Sequence, residues 1–227
     1  MTEIAVIDPS IIKRLEAIPT GPITDGCVAL GVGGWLDEIL PFKPEWRFVG
    51  RVRTLKYAPR SGVVRSSETP YSAVRRCAPG DVLVMAVGGA RPHIIGDNLA
   101  HHASYQGLKA LVSDGGARDV NELRKLDFPI FARRLSIRPP FGEMAIIDAD
   151  VPVECGGAHL RPGDLIVGDC DGVLTIPAEV IADVVLQAEH IVAVEKEQAQ
   201  AIREKAPLDE IAKVIAGKKV RQPPRQA

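Results

Sequence analysis

No apolar run in this sequence is long enough to span a bilayer, so a helical membrane protein is excluded. The first residues, MTEIAVIDPS, have no basic start and no apolar middle, and no signal peptide is expected. A charge imbalance is also lacking. Lys and Arg number 28 against 29 Asp and Glu, a formal charge of −1, so no global field favours nucleic acid or an anionic membrane as a partner. The cysteines, Cys27, Cys77, Cys155 and Cys170, form no C-x-x-C pair and no metal-like spacing, which points to reduced thiols in a cytoplasmic protein. Internal repeats, low-complexity segments and clear linkers are absent too. The chain therefore reads as a single domain over residues 1–227.

What is present reads as alternating strands and helices. Pro9 to Ile18 suits a short helix, and a second begins near Pro22-Ile23-Thr24-Asp25. GVGGWLDEILPF is a Gly-rich turn without the lysine of a phosphate loop. FVGRVRTLKY, from Phe48, alternates as a half-buried strand does. DVLVMAV, Asp81 to Val87, is apolar enough for a strand buried on both faces and ends at Gly88-Gly89. Asp97 to Gln106 suits a helix stopped by Gly107, followed by strands at Leu108–Ser113 and Phe128–Ala132. Further strands with Gly-rich turns fall within 145–153 and 164–176. Helices are expected over about 177–216, with apolar positions recurring from Ile181 to Ile202, and then a basic, Pro-rich, solvated tail over 217–227.

Strand 81–87, helix 97–106 and strand 108–113 form a β-α-β unit. Such crossovers are right-handed and set the two strands parallel. The start of the helix and the end of the second strand then share one edge of the sheet, the edge where open α/β sheets bind ligands. Asp97 stands at the first place and Gly115-Gly116-Ala117-Arg118-Asp119 at the second, with Glu122 just beyond. The amides of Asn98 and Leu99, after Gly96, would point at an anion. Arg118 can grip a carboxylate through two parallel hydrogen bonds. Asp97, Asp119 and Glu122 offer hard oxygen ligands suited to Mg2+ or Mn2+. Together these groups suit a small, metal-bound carboxylate. The competing readings are a helix cap for Asp97 and a surface ion pair for Arg118-Asp119. His101 and His102 on the helix, and His93 before it, are further candidates to line the site.

GDNLA, DGGARD and VNEL, with ITDGC earlier and VPVECGGAHLRPGDLIVGDCDGVLTIP later, resemble the RraA-like superfamily, named for the regulator of ribonuclease activity A. That superfamily includes the class II 4-hydroxy-4-methyl-2-oxoglutarate aldolases. The resemblance implies an α/β fold, a swivelling β/β/α sandwich with C-terminal helices, assembled as a homotrimer or homohexamer with sites between subunits. It implies that Arg118 holds the pyruvate carboxylate and Asp119 the metal. Asp97 would hold metal-bound water, and Asn98 and Leu99 would supply backbone amides. The aldolases carry an acid three residues after the metal aspartate, and here that is Glu122; the GDNLA form is closer to the regulators. The aldolases also borrow a C-terminal glutamate from the next subunit. Glu195, which interrupts the apolar stripe of the last helices, is the candidate, with Glu197 close by.

The implied reaction is retro-aldol cleavage of a 4-hydroxy-2-oxo di- or tricarboxylic acid to pyruvate and a second keto acid, with oxaloacetate decarboxylation as a side activity. A Schiff-base aldolase is one rival, though Lys56 and Lys109 are marked by no neighbours. A protein-binding regulator of ribonuclease activity, without catalysis, is the other.

Overall fold

The computed structural model describes residues 7–60 and 66–223. The first half runs α1 (Pro9–Glu16), α2 (Thr20–Ala29), β1 (Trp35–Leu36), β2 (Leu40–Pro41), β3 (Phe48–Pro59), α3 (Pro70–Arg76), β4 (Asp81–Ala86), β5 (His93–Ile95) and α4 (Asp97–Gln106). The second half runs β6 (Ala110–Ala117), α5 (Val120–Lys125), β7 (Ile130–Leu135), β8 (Met144–Ala149), β9 (Val153–Cys155), β10 (Ala158–Leu160), β11 (Leu165–Asp169), β12 (Gly172–Ile176), α6 (Ile181–Arg203) and α7 (Leu208–Ala216).

Ten strands form one sheet in the order β1-β12-β11-β3-β4-β6-β7-β2, with β5 on β6 and β8 on β3; β9 and β10 form a separate hairpin. The centre is parallel. Val82 to Met85 pair with Ala110 to Ser113, and Leu111 to Ser113 pair in turn with Ile130 to Ala132 of β7. Every residue of β4 and of β6 is buried, as their near-continuous apolar runs require. One apolar cluster joins these strands to α3, α4, α5 and the β9–β10 hairpin through Val74, Leu99, Ala103, Leu123 and Leu160. A second joins α1, α2 and α6 to β3, β11 and β12 through Leu15, Ile23, Val49, Val167 and Val184. Gly26 allows α2 to lie against α6, since a Cβ there would stand 3.2 Å from the Ala188 amide nitrogen.

Several boundaries move from where the sequence puts them. The strand expected to end at Ser113 continues through Gly115-Gly116 to Ala117. Those glycines are strand residues because neighbours crowd them: a Cβ on Gly116 would lie 2.7 Å from Ser136 Cβ, and one on Gly115 2.8 Å from Val87 Cγ2. The turn after β4 is organised from beneath by Asp114, which is 2 % exposed. Its carboxylate accepts from the Val87 amide at 2.7 Å and the Gly89 amide at 2.8 Å, while Gly88 and Gly89 adopt φ of 64° and 72°.

The expected basic tail is exposed at Lys219, Val220, Arg221 and Pro223, but part of it packs back on the fold. Lys218 Nζ lies 2.6 Å from Glu195 Oε1 and 3.5 Å from Asp25 Oδ2. Gln187, fully buried on α6, donates to Val220 O at 3.0 Å and accepts from the Gln222 amide at 2.8 Å. A buried amide needs such partners, and the tail supplies them by lying along α6. Residues 224–227 of that tail lie outside the described residues.

Candidate functional site

The β-α-β unit does bring its two ends together. β5 takes over β4's place beside β6, pairing with Gly116 and Ala117, and then turns at Gly96 into α4. The Arg118 amide donates to Ile95 O at 3.0 Å, and the Asp97 amide faces Asp119 Oδ2 at 3.4 Å. Gly96 makes this approach possible, because a Cβ there would stand 3.0 Å from Asp119 Oδ2. Asp97, Arg118, Asp119 and Glu122 line one hollow of about 410 Å³. A second hollow, of about 360 Å³, shares Asp97 and Arg118 with it. Its walls include Gly96, Asn98, Leu99 and His93, with Tyr57, Tyr71, Met144 and Ile146 as apolar lining.

Asp97 is not the helix cap. Gly96 holds that position, without any side-chain cap, and the Asp97 carboxylate accepts from the Asn98 amide at 2.7 Å. The first turn of α4 borders the hollow with Gly96, Asp97, Asn98 and Leu99, and a helix start of this kind suits an anion. Asp119 sits in the left-handed region, with φ 60° and ψ 34°, a conformation that costs a non-glycine residue on the order of 1 kcal/mol. It heads α5 without a side-chain capping bond. Its Oδ2 lies 3.3 Å from Arg118 Nε, and among the described residues nothing bonds its Oδ1. Half of the Arg118 side chain is exposed, so the ion pair itself contributes little stability.

Glu122 stands at the first turn of α5, and in this conformation Lys125 Nζ holds both its oxygens, at 2.8 and 3.1 Å. Glu195 lines neither hollow and pairs with Lys218. His93 is buried in the short strand β5, and among the described residues its Nδ1 has no hydrogen-bond partner. Burial, and then the Arg118 charge, hold its pKa below the usual imidazole value. Of the other histidines, His102 rests against the Tyr71 ring and His101 against Tyr105.

The donor set fits a hard divalent cation. Asp119 Oδ1 is free, Asp97 and Glu122 add oxygens round the same hollow, and the space left admits water ligands. Among the described residues, Asp97, Asp119 and Glu122 do not converge as a trio of donors; the trio that does is Asp169, Cys170 and Asp171. That trio is a structural knot. Asp169 is buried and already accepts from the Thr20 amide, the Thr20 hydroxyl, Arg47 and the Asp171 amide.

Residues 23–175, spanning every group round the two hollows, match the RraA-like family, described as Aldolase/RraA. The chain belongs to the RraA-like family. A Halalkalibacterium halodurans protein provisionally named 4-hydroxy-4-methyl-2-oxoglutarate aldolase is 35% identical over 167 residues, 73% of this chain and 76% of that one. A Thermus thermophilus protein named 4-hydroxy-4-methyl-2-oxoglutarate aldolase is 33% identical over 136 residues, 58% of this chain and 76% of its own. The fold is likewise RraA-like. Streptomyces coelicolor RraAS2, described as an unusual member of the RNase ES inhibitor RraA protein family, superposes with a TM-score of 0.75 at 25% identity, covering 88% of this chain and 98% of that one. An uncharacterised protein from Pseudomonas syringae pv. tomato superposes with a TM-score of 0.80 at 27% identity, covering 92% and 99%. The aldolase names of the relatives support an RraA-like aldolase.

Proposed function

We propose that this RraA-like protein is a divalent-metal-dependent lyase that cleaves a 4-hydroxy-2-oxo di- or tricarboxylic acid and releases pyruvate. The observation that carries the reading is the meeting of Arg118, Asp119 and Asp97 at the uncapped start of α4, round one hollow. Asp119, with Glu122 beside it, would hold Mg2+ or Mn2+. When bound, such an ion supplies Lewis acidity at the substrate's C2 oxygen. Arg118 takes the C1 carboxylate through its planar fork and leaves fixed positive charge beside the developing enolate. The amide of Leu99 and, once the Asp97 carboxylate releases it, that of Asn98 complete the anion's seat. Asp97, together with Arg118, holds a water that accepts the C4 hydroxyl proton as the C3–C4 bond breaks.

The same enolate forms when oxaloacetate loses carbon dioxide, so that decarboxylation is the expected side activity. A regulator that only binds another protein would turn over neither compound. Pyruvate release from 4-hydroxy-4-methyl-2-oxoglutarate and from oxaloacetate separates the two readings, and absence of both activities would favour the regulator.

Glu195 is the glutamate contributed to a neighbouring subunit's site in this reading, with Glu197 the alternative. It lies away from both hollows of its own chain, which accords with a role across an interface. Exposed apolar side chains, Phe141 at 86% in the wall of the second hollow and Ile137 at 91%, suit burial against another copy. Light scattering is expected to return a homotrimer or a dimer of trimers, and a stable, fully active monomer would refute the shared site.

A further inference from the structure

We infer that the second hollow reads the C4 end of the substrate with two surfaces: Arg60 pairs with one carboxylate borne on C4, and an apolar wall takes the remaining C4 substituent. The class so selected is a 4-hydroxy-2-oxo dicarboxylic acid with an apolar group on C4, rather than a tricarboxylic acid. This rests on the pyruvate-releasing reading above and deepens it.

The second hollow, of about 360 Å³, has the size of a small-molecule site. Arg60, Asp97 and Arg118 are the charged residues of its wall. Burial, and then the Arg118 charge, lower the His93 pKa, and burial raises that of the Tyr57 phenol, so both stay uncharged near neutral pH. Asp97 and Arg118 already have work in cleavage, which leaves Arg60. Its backbone is fixed where β3 ends: its amide donates to Glu143 O at 2.7 Å, continuing the ladder in which Tyr57 pairs with Ile146 and Pro59 with Met144. Glu143 gives its carboxylate to Arg138 at 2.8 Å. Among the described residues, the Arg60 guanidinium makes no hydrogen bond or ion pair. An unpaired guanidinium in the wall of such a hollow is a seat for a planar anion, and a carboxylate matches its fork.

The two hollows divide the substrate between them. In the reading above, C1 and C2 lie at Arg118, Asp119 and Glu122, and of these Asp119 and Glu122 line the first hollow alone. C4 lies at Asp97, whose water takes the hydroxyl proton, and Asp97 borders both hollows. The groups on C4 therefore extend into the second one. Besides C3, C4 carries three groups. The hydroxyl faces the water at Asp97, one carboxylate meets Arg60, and the third group faces Tyr57, Tyr71, Met144 and Ile146. A carboxylate in that third place would lose water without gaining a cation. An alkyl group there gains by leaving water.

The discriminating control is 4-hydroxy-4-methyl-2-oxopentanoate, in which a methyl replaces the distal carboxylate while the bond that breaks is unchanged. Arg60 is exposed, so its replacement should leave the denaturant midpoint where it was. In the complete chain with magnesium, Arg60→Ala is expected to lower kcat/KM for 4-hydroxy-4-methyl-2-oxoglutarate about 30-fold, mostly through KM. Its kcat/KM for the control should stay within about threefold of the parent, a split that a merely structural role would not produce. An equal fall on both substrates, or an unchanged value for the dicarboxylate, overturns the inference. So does a parent protein that prefers 4-carboxy-4-hydroxy-2-oxoadipate, where the third group on C4 also ends in a carboxylate. A parent protein that releases pyruvate from none of the three compounds overturns the underlying reading instead.

Discussion

Asp119→Ala is expected to reduce pyruvate release below detection, even at high magnesium, and to abolish metal binding at the site. The reason is that Asp119 Oδ1, which nothing bonds among the described residues, is the direct anionic ligand in this reading, and the oxygens of Asp97 and Glu122 do not converge with it as a trio. Charge removal and backbone strain must be kept apart in this test. Alanine in the left-handed conformation of residue 119 costs on the order of 1 kcal/mol more than aspartate. Asparagine tolerates that conformation better, so Asp119→Asn should keep the parent's stability while losing metal and turnover. Isothermal titration with manganese, beside steady-state kinetics, reads both effects. Normal turnover by either variant of 4-hydroxy-4-methyl-2-oxoglutarate or oxaloacetate would show that the site is wrongly assigned.

Arg118→Lys is expected to bind metal yet lose much of kcat/KM, on the order of 100-fold, and Arg118→Ala to lose more. Lysine keeps the charge but not the planar, two-toothed donor, so both the carboxylate grip and the charge beside the enolate suffer. Stability should barely change, because Arg118 is half exposed and its ion pair with Asp119 is open to solvent. A surface ion pair without function predicts the reverse: at most about 1 kcal/mol of stability and nearly intact turnover. Kinetics with a denaturant midpoint on each variant decides between them.

The site's skeleton was legible because parallel, doubly buried strands announce themselves as apolar runs. DVLVMAV and ALV lie side by side in the sheet, and the crossover between them sets Asp97 beside Asp119. Elements built on local chemistry were harder to read. Helix α3 begins with Thr69 and Ser72 exchanging caps and with Pro70 at its first turn, a signal present in the sequence and passed over. The β5 strand is three residues long, below any periodicity, so no strand was expected at His93. Helix α5 starts from a left-handed aspartate rather than an ordinary cap, which hid the helix that carries Glu122.

Tertiary partners were not legible at all. Nothing in the sequence said that Gln187 would lie on the buried face of α6 and find its partners in the tail. Lys218 looked like one of several solvated cations until the fold placed Glu195 and Asp25 beside it. Asp114 likewise read as one residue of a strand, and only its two bonds to the Val87 and Gly89 amides reveal that it shapes the turn after β4.

The most direct measurement is pyruvate release from 4-hydroxy-4-methyl-2-oxoglutarate by protein stripped with a chelator, assayed before and after adding magnesium or manganese. Activity absent after stripping and restored by either ion is the expected result. Full activity in the stripped protein, with borohydride trapping the substrate on a lysine, would contradict the account.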